Sequence, residues 1–168
     1  MKEEIKAIKK KLEDHEKRIS KIEGKIQKGV GEKITMPIGL DQGIKRLAKK
    51  AGITEEQVRG IFDFEGEKLT LIKLPEGNER EITQNATLVI LLGYKYCFTN
   101  EDILAIEIRR NLAENEVSLN NFATHLNKII HSLIRRKGKQ KSAKTNYKLT
   151  LPGEVKAKKI INEMIGKR

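Results

Sequence analysis

The sequence has no tryptophan, one cysteine, three prolines, four phenylalanines and three tyrosines in 168 residues. One cysteine excludes an internal disulfide and a thiolate metal cluster. Cys97 lies inside the apolar run ATLVILLGYKYCF and reads as a buried structural thiol. That run contains Lys95 and is too short to span a bilayer. No segment reads as a secretory signal peptide, so the expectation is a soluble, cytoplasmic protein with no membrane partner. Histidines are scarce as well: His15, His125 and His131 are the full set. No glycine-rich phosphate loop with its lysine and no serine in a nucleophile elbow accompanies them. The expectation is therefore no enzyme, no catalytic residue, no cofactor and no metal. His125 and His131, six residues apart, cannot ligate one metal together and are expected near phosphates or at the core edge.

The most informative absence is local. Between Val117 and Gly153 there is no Asp or Glu, while Lys128, Arg135, Arg136, Lys137, Lys139, Lys141, Lys144 and Lys148 supply eight positive charges, against a net charge of +12 for the whole chain. Such a stretch calls for an acidic partner. Nucleic acid fits better than a membrane surface, because no basic amphipathic helix carries an insertion face of Trp, Phe or Leu.

Within this stretch SLNNFATHLNKIIHSL reads as a helix. Leu119, Phe122, Leu126, Ile129, Ile130 and Leu133 draw one apolar stripe at three- and four-residue spacing, and Ser118 stands where a cap would be. At about 100° per residue, Asn120, Asn121, Thr124, Asn127 and Lys128 fall on the opposite face. Asn can pair with adenine through two hydrogen bonds, Thr can donate, accept or touch a thymine methyl, and Lys serves phosphate or guanine. LIRRK and NYKLTL read as two strands, with GKQKSAKT as an exposed basic loop between them. The hairpin places Arg135, Arg136, Lys137, Lys139, Lys141 and Lys144 at the height of a phosphate backbone.

The chain before this stretch divides by pattern. Over residues 1–29, Ile5, Leu12, Ile19 and Ile26 occupy heptad position a, and Ile8, His15 and Ile22 position d. This predicts a coiled-coil helix. In a parallel pair, Glu4 meets Lys9, Lys11 meets Glu16, and Arg18 meets Glu23, all opposite in sign. A parallel dimer is expected; isoleucine at d leaves a trimer open, and His15 is a polar interruption able to set register. Gly29 and Gly31 end the heptads.

Residues 30–77 contain LAKKAGITEEQVRGIF, which resembles a helix-turn-helix. Gly52 is expected at the turn, and Ile44, Leu47, Ala48, Ile53, Val58 and Ile61 form a small core. Its second helix exposes Glu55, Glu56, Gln57 and Arg59, followed by Asp63, Glu65 and Glu67, and carboxylates there would repel phosphate. The module, with a hairpin in FDFEGEKLTLIKL, is expected to be structural or to meet a protein partner through residues 54–67; whether it also touches DNA stays open.

Residues 78–168 predict a buried helix from Glu79 to Phe98, although TLVILL by itself could pass for a strand. A second helix is expected to be capped by Thr99–Asp102 with Ile103, Leu104, Ile108 and Leu112 inward, followed by the polar-faced helix, the hairpin and a last helix begun near Pro152. In that last helix Val155, Ile160, Ile161 and Ile165 form the apolar set. This order, ending in YKLTLPGEVKAKKII, resembles the winged helix-turn-helix domains of prokaryotic transcriptional regulators. The abundance of Lys, Glu and Ile resembles proteins of heat-loving prokaryotes. The fold expectation is mainly α with small β-hairpin wings: a coiled coil, a helix-turn-helix-like module and a C-terminal winged helix domain. The resemblance implies a major-groove reader with a wing on the adjacent backbone; joined to the coiled coil, the expectation is a dimeric transcriptional regulator or chromatin factor with double-stranded DNA as partner. The alternative is a protein-interaction adaptor whose basic loop solubilises it or touches RNA.

Overall fold

A computed structural model of the protein describes residues 39–139, 142 and 144–166. The predicted seam of Ile5, Ile8, Leu12, His15, Ile19, Ile22 and Ile26 lies outside the described residues, as does Lys141. The remainder is a mixed α/β structure, rich in helix, with two small antiparallel sheets.

Helix α1, Leu40–Ala51, buries Ile44, Leu47, Ala48 and Ala51 along one face. It stops at Gly52, whose φ of 71° is a left-handed conformation cheap only for glycine. Thr54 then opens the short α2, Glu55–Arg59. Its hydroxyl accepts from Gln57 N at 3.1 Å, while Gln57 Oε1 accepts from Thr54 N at 3.0 Å, so two orphan donors of the first turn are satisfied reciprocally. Val58 and Ile61 are buried with the α1 residues, and Ile53 packs against them half-exposed. Strands β1, Phe62–Glu65, and β2, Lys68–Leu71, pair antiparallel from Phe62 opposite Leu71 to Glu65 opposite Lys68.

Helix α3, Glu79–Cys97, settles the ambiguity of TLVILL. Asn78 and Glu81 form a second capping box, with bonds of 3.1 and 3.0 Å. Every residue from Ala86 to Tyr94 is buried, so the apolar run is a helix covered on all sides rather than a strand. Cys97 at its end is buried, and burial pushes its thiol up to about 12.

Two expectations change after α3. Thr99–Asp102 does not cap a helix; Ile103–Leu104 forms strand β3, and α4 begins only at Ala105 and runs to Glu114. The reason is tertiary. Ile103 pairs opposite Tyr147, and Ala105 N donates to Thr145 O at 2.8 Å, so the backbone is drawn into a sheet that local pattern does not reveal. Ile103, Ile108 and Leu112 are buried as expected, whereas Leu104 is exposed.

The helix expected over SLNNFATHLNKIIHSL is also shorter. Helix α5 covers Phe122–Asn127 only, and Ser118 does not cap it. Beyond Asn127 the turns tighten, with Lys128 N donating to His125 O and Ile129 N to Leu126 O. His131 then takes a left-handed φ of 73° and donates its N–H to Ile134 O at 2.7 Å, turning the chain into the next strand. The stripe survives because these turns keep nearly helical spacing: Phe122, Leu126 and Ile129 are buried, and Leu119, Ile130 and Leu133 pack against them.

Strands β4, Ile134–Lys137, and β5, Asn146–Leu149, form the predicted hairpin, and β3 joins the free side of β5 to give the order β3-β5-β4. Helix α6, Leu151–Met164, has Pro152 in its first turn, and Thr150 Oγ1 accepts from Gly153 N at 3.1 Å. Gly153 lies so close to the turn before β4 that a Cβ there would come within 1.9 Å of Leu133 O. Ile160 and Ile161 are buried, but Val155 departs from the expected apolar face and is 69% exposed.

One core runs through the described residues, across the boundary expected at residue 77. Fully buried Asn111 on α4 closes the outer edge of β2: its amide accepts from Leu71 N and donates to Leu69 O, both at 2.9 Å. Asn115 donates to Leu71 O one turn later. Two side chains thus take the place of a neighbouring strand.

Candidate nucleic-acid interface

Helix α5 is held by its apolar face against α3 and β5, which leaves Asn120, Asn121, Thr124, Asn127 and Lys128 exposed together. Gln84 on α3 donates to His125 O at 2.7 Å, and His125 Nδ1 lies 3.4 Å from Thr83 Oγ1, so His125 belongs to the core edge. Phe122 meets Tyr147 edge-on at 6.4 Å between ring centroids, fixing the start of α5 against the hairpin.

The hairpin does not present its cations on one side. Residues opposite each other in an antiparallel pair share a face, and successive residues alternate. Ile134 with Leu149 and Arg136 with Tyr147 therefore lie on the α5 side, and Arg135 with Lys148 and Lys137 with Asn146 on the other. Arg136 is the hairpin cation brought to the helix: its Nη1 donates to Asn127 Oδ1 at 3.1 Å. Tyr147 carries a raised hydroxyl pKa, mainly from burial and partly opposed by the charges of Arg136 and Arg109. Arg135 and Lys137 are exposed on the far face; Lys139 and Lys144 are exposed beyond the strand ends.

Comparison of this chain with family models, with curated proteins and with solved structures finds no match. Among the described residues no helix is long and apolar enough to cross a membrane.

Two features of the interface are not visible in the sequence. Arg109, on α4 and outside the acid-free stretch, places its guanidinium carbon 5.2 Å from the centroid of the Phe122 ring, a cation–π distance. It adds a cation beside Asn120 that no local pattern announces. Conversely, Lys148 is taken out of the free set by an ion pair with Glu101, whose carboxylate also lies 3.6 Å from Lys95. The hydrogen bond from Lys148 holds Glu101 below its usual range, against the opposing effect of burial.

Beside this pair Glu154, at the start of α6, accepts from Lys95 at 2.7 Å, from Lys158 at 2.8 Å and from Tyr96. Burial would raise its carboxyl, but these donors outweigh it and hold the group at about 2. The network joins the end of α3 to β5 and α6. Its job is to orient the back of the hairpin, because every charge in it is already partnered. Lys128 instead shares a shallow hollow with Arg80, Lys156 and Glu81 at the far end of α5.

Proposed function

We propose that residues 78–166 bind double-stranded DNA, with α5 toward the base edges and the β4–β5 hairpin beside the backbone, as a winged helix reader in a dimeric transcriptional regulator or chromatin factor. The observation that carries this reading is the bond from Arg136 to Asn127, which couples an exposed face of Asn and Thr side chains to a hairpin without acids. Further support comes from the element order, helix, strand, two helices and a hairpin, with β3 as third strand. Apart from β3, three helices, a hairpin and a last helix follow the order on which the resemblance rests. Six residues of α5 span about 9 Å, which limits direct readout to roughly three base pairs per protein chain. A reader this small gains from being tethered to a second one, the role assigned to the coiled coil expected over residues 1–29.

The adaptor reading keeps one observation of its own: Leu151 and Val155, adjacent on one face of α6, are 80% and 69% exposed. Fluorescence anisotropy of random duplex DNA at several salt concentrations separates the two. DNA binding gives log affinity falling linearly with log salt, by about 0.9 for each phosphate neutralised. Absence of binding at low salt rejects the DNA reading in favour of the adaptor.

A further inference from the structure

A groove of about 530 Å³ opens between the start of α4, the start of α5 and the loop end of the hairpin, where Ser142 and Thr145 border it. Its size is within the range that holds small organic ligands, roughly 300–1,000 Å³. Ile106, Leu119, Ala123 and the edge of Tyr147 supply an apolar lining, with Arg109 and Asn120 beside them. Ile106 is 58% exposed, a large apolar side chain left in water at the first turn of α4. Arg109 forms no ion pair with any carboxylate among the described residues, although Arg110 beside it pairs with both Glu107 and Glu114. The Phe122 ring supports the Arg109 guanidinium on one face, and a planar guanidinium held in this way keeps its N–H edge for a bidentate acceptor.

A cation beside an apolar floor suits a particular ligand chemistry. A phosphate group would leave the apolar side chains there uncovered, whereas a small organic acid with an apolar body satisfies both halves of the groove. We propose that this groove binds a small carboxylate with a flat apolar body, the carboxylate on Arg109 and the body on Ile106, Leu119 and Ala123, with Asn120 orienting it. The site does not depend on the DNA reading, since the described residues that line it belong to one chain. Because Asn120 borders both the groove and the exposed face of α5, an occupant bears directly on that face.

Benzoate is the probe, titrated into the full-length protein by calorimetry, with backbone amide shifts from NMR to locate it. Benzoate should bind and shift amides of residues 105–109 and 119–123. Benzyl alcohol, which lacks the charge, and inorganic phosphate, which lacks the apolar body, should each bind at least roughly tenfold more weakly. Arg109→Gln and Ile106→Glu should each weaken benzoate by roughly tenfold or more, and Arg109→Lys by less, since the charge remains without the fork. Both positions are exposed, and unchanged thermal melting of the variants shows that the fold is retained. Phosphate binding as tightly as benzoate, shifts confined to other residues, undiminished affinity in Arg109→Gln, or no benzoate binding at millimolar concentration would each overturn the proposal.

Discussion

Arg136 and Asn127 face each other across the junction of hairpin and helix, 3.1 Å apart from Nη1 to Oδ1. Asn127 is exposed on α5, and Arg136 lies opposite Tyr147 on the inner side of the sheet. The bond ties the hairpin to the helix, and it partly commits the Asn127 side-chain oxygen.

Replacing hairpin cations singly should therefore give unequal effects. Under the DNA reading, Arg136→Ala loses a cation beside the helix and also frees Asn127, so affinity should fall for all sequences and discrimination should change as well. Arg135→Ala and Lys137→Ala, on the opposite sheet face, should each cost less than Arg136→Ala. Asn121→Ala should instead weaken the preferred site most, by about 1 to 3 kcal/mol, and leave the salt slope nearly unchanged. Anisotropy on specific and random duplexes checks all four; equal losses for the three cations would remove the two-faced account of the hairpin.

Asn111 should matter more to stability than to binding. Asn111→Leu removes the partners of Leu71 N and Leu69 O inside the core and leaves both backbone groups unpaired. A destabilisation of roughly 2 to 5 kcal/mol is expected from two such groups, read as a lower urea midpoint. Asn115→Leu, at a half-buried position with one bond to β2, should cost less.

Glu154 links stability to acid pH. Its folded pKa of about 2 lies below the ordinary 4.5, so the folded state binds the proton less readily than the unfolded chain. Its contribution is fully present above about 4.5 and is lost as pH falls from there toward about 2. Glu154→Gln should flatten the stability profile across that window. Chemical denaturation at successive pH values would show it, and an unchanged acid limb would exclude Glu154 as the group responsible.

Removal of residues 1–28 tests the tether. Under the DNA reading, the shortened chain should bind DNA more weakly with the same half-site preference, because effective concentration is lost while residues 78–166 are untouched. Charge reversal of Lys11 and Arg18 to Glu should loosen the assembly, and adding Glu16 and Glu23 to Lys should restore it, as read by sedimentation. Full oligomerisation of the doubly reversed protein at micromolar concentration would reject the parallel pairing.

Much of the fold was legible because its signals are local. The glycine at position 52, the hairpin about Gly66, the buried length of α3 and the stripe from Leu119 to Leu133 each follow from spacing or backbone preference. Strand β3 was not legible, because two residues become a strand only when β5 arrives from more than forty positions away. The early end of α5 has the same character: His131 adopts its left-handed φ to meet Ile134, a requirement of the sheet rather than of the helix sequence. At the interface, composition pointed to the exposed polar residues and the basic hairpin. It could not reveal that Glu101 neutralises Lys148, that Arg136 alone among the β4 cations turns inward, or that Arg109 joins from another helix. Those are relations between distant segments.

The enclosure of α3 on all sides has a kinetic meaning. A helix with one wet face can exchange its amide hydrogens through small local openings, but the stretch from Ala86 to Gly93 has no wet face, and solvent reaches it only when neighbouring elements leave together. Deuterium should therefore enter this stretch last, at a rate that reports unfolding of the whole unit. The amides of Gly138 and Lys139, exposed beyond the end of β4, should be labelled orders of magnitude sooner. The segment most resistant to solvent and the exposed basic hairpin are thus separated in time as well as in space.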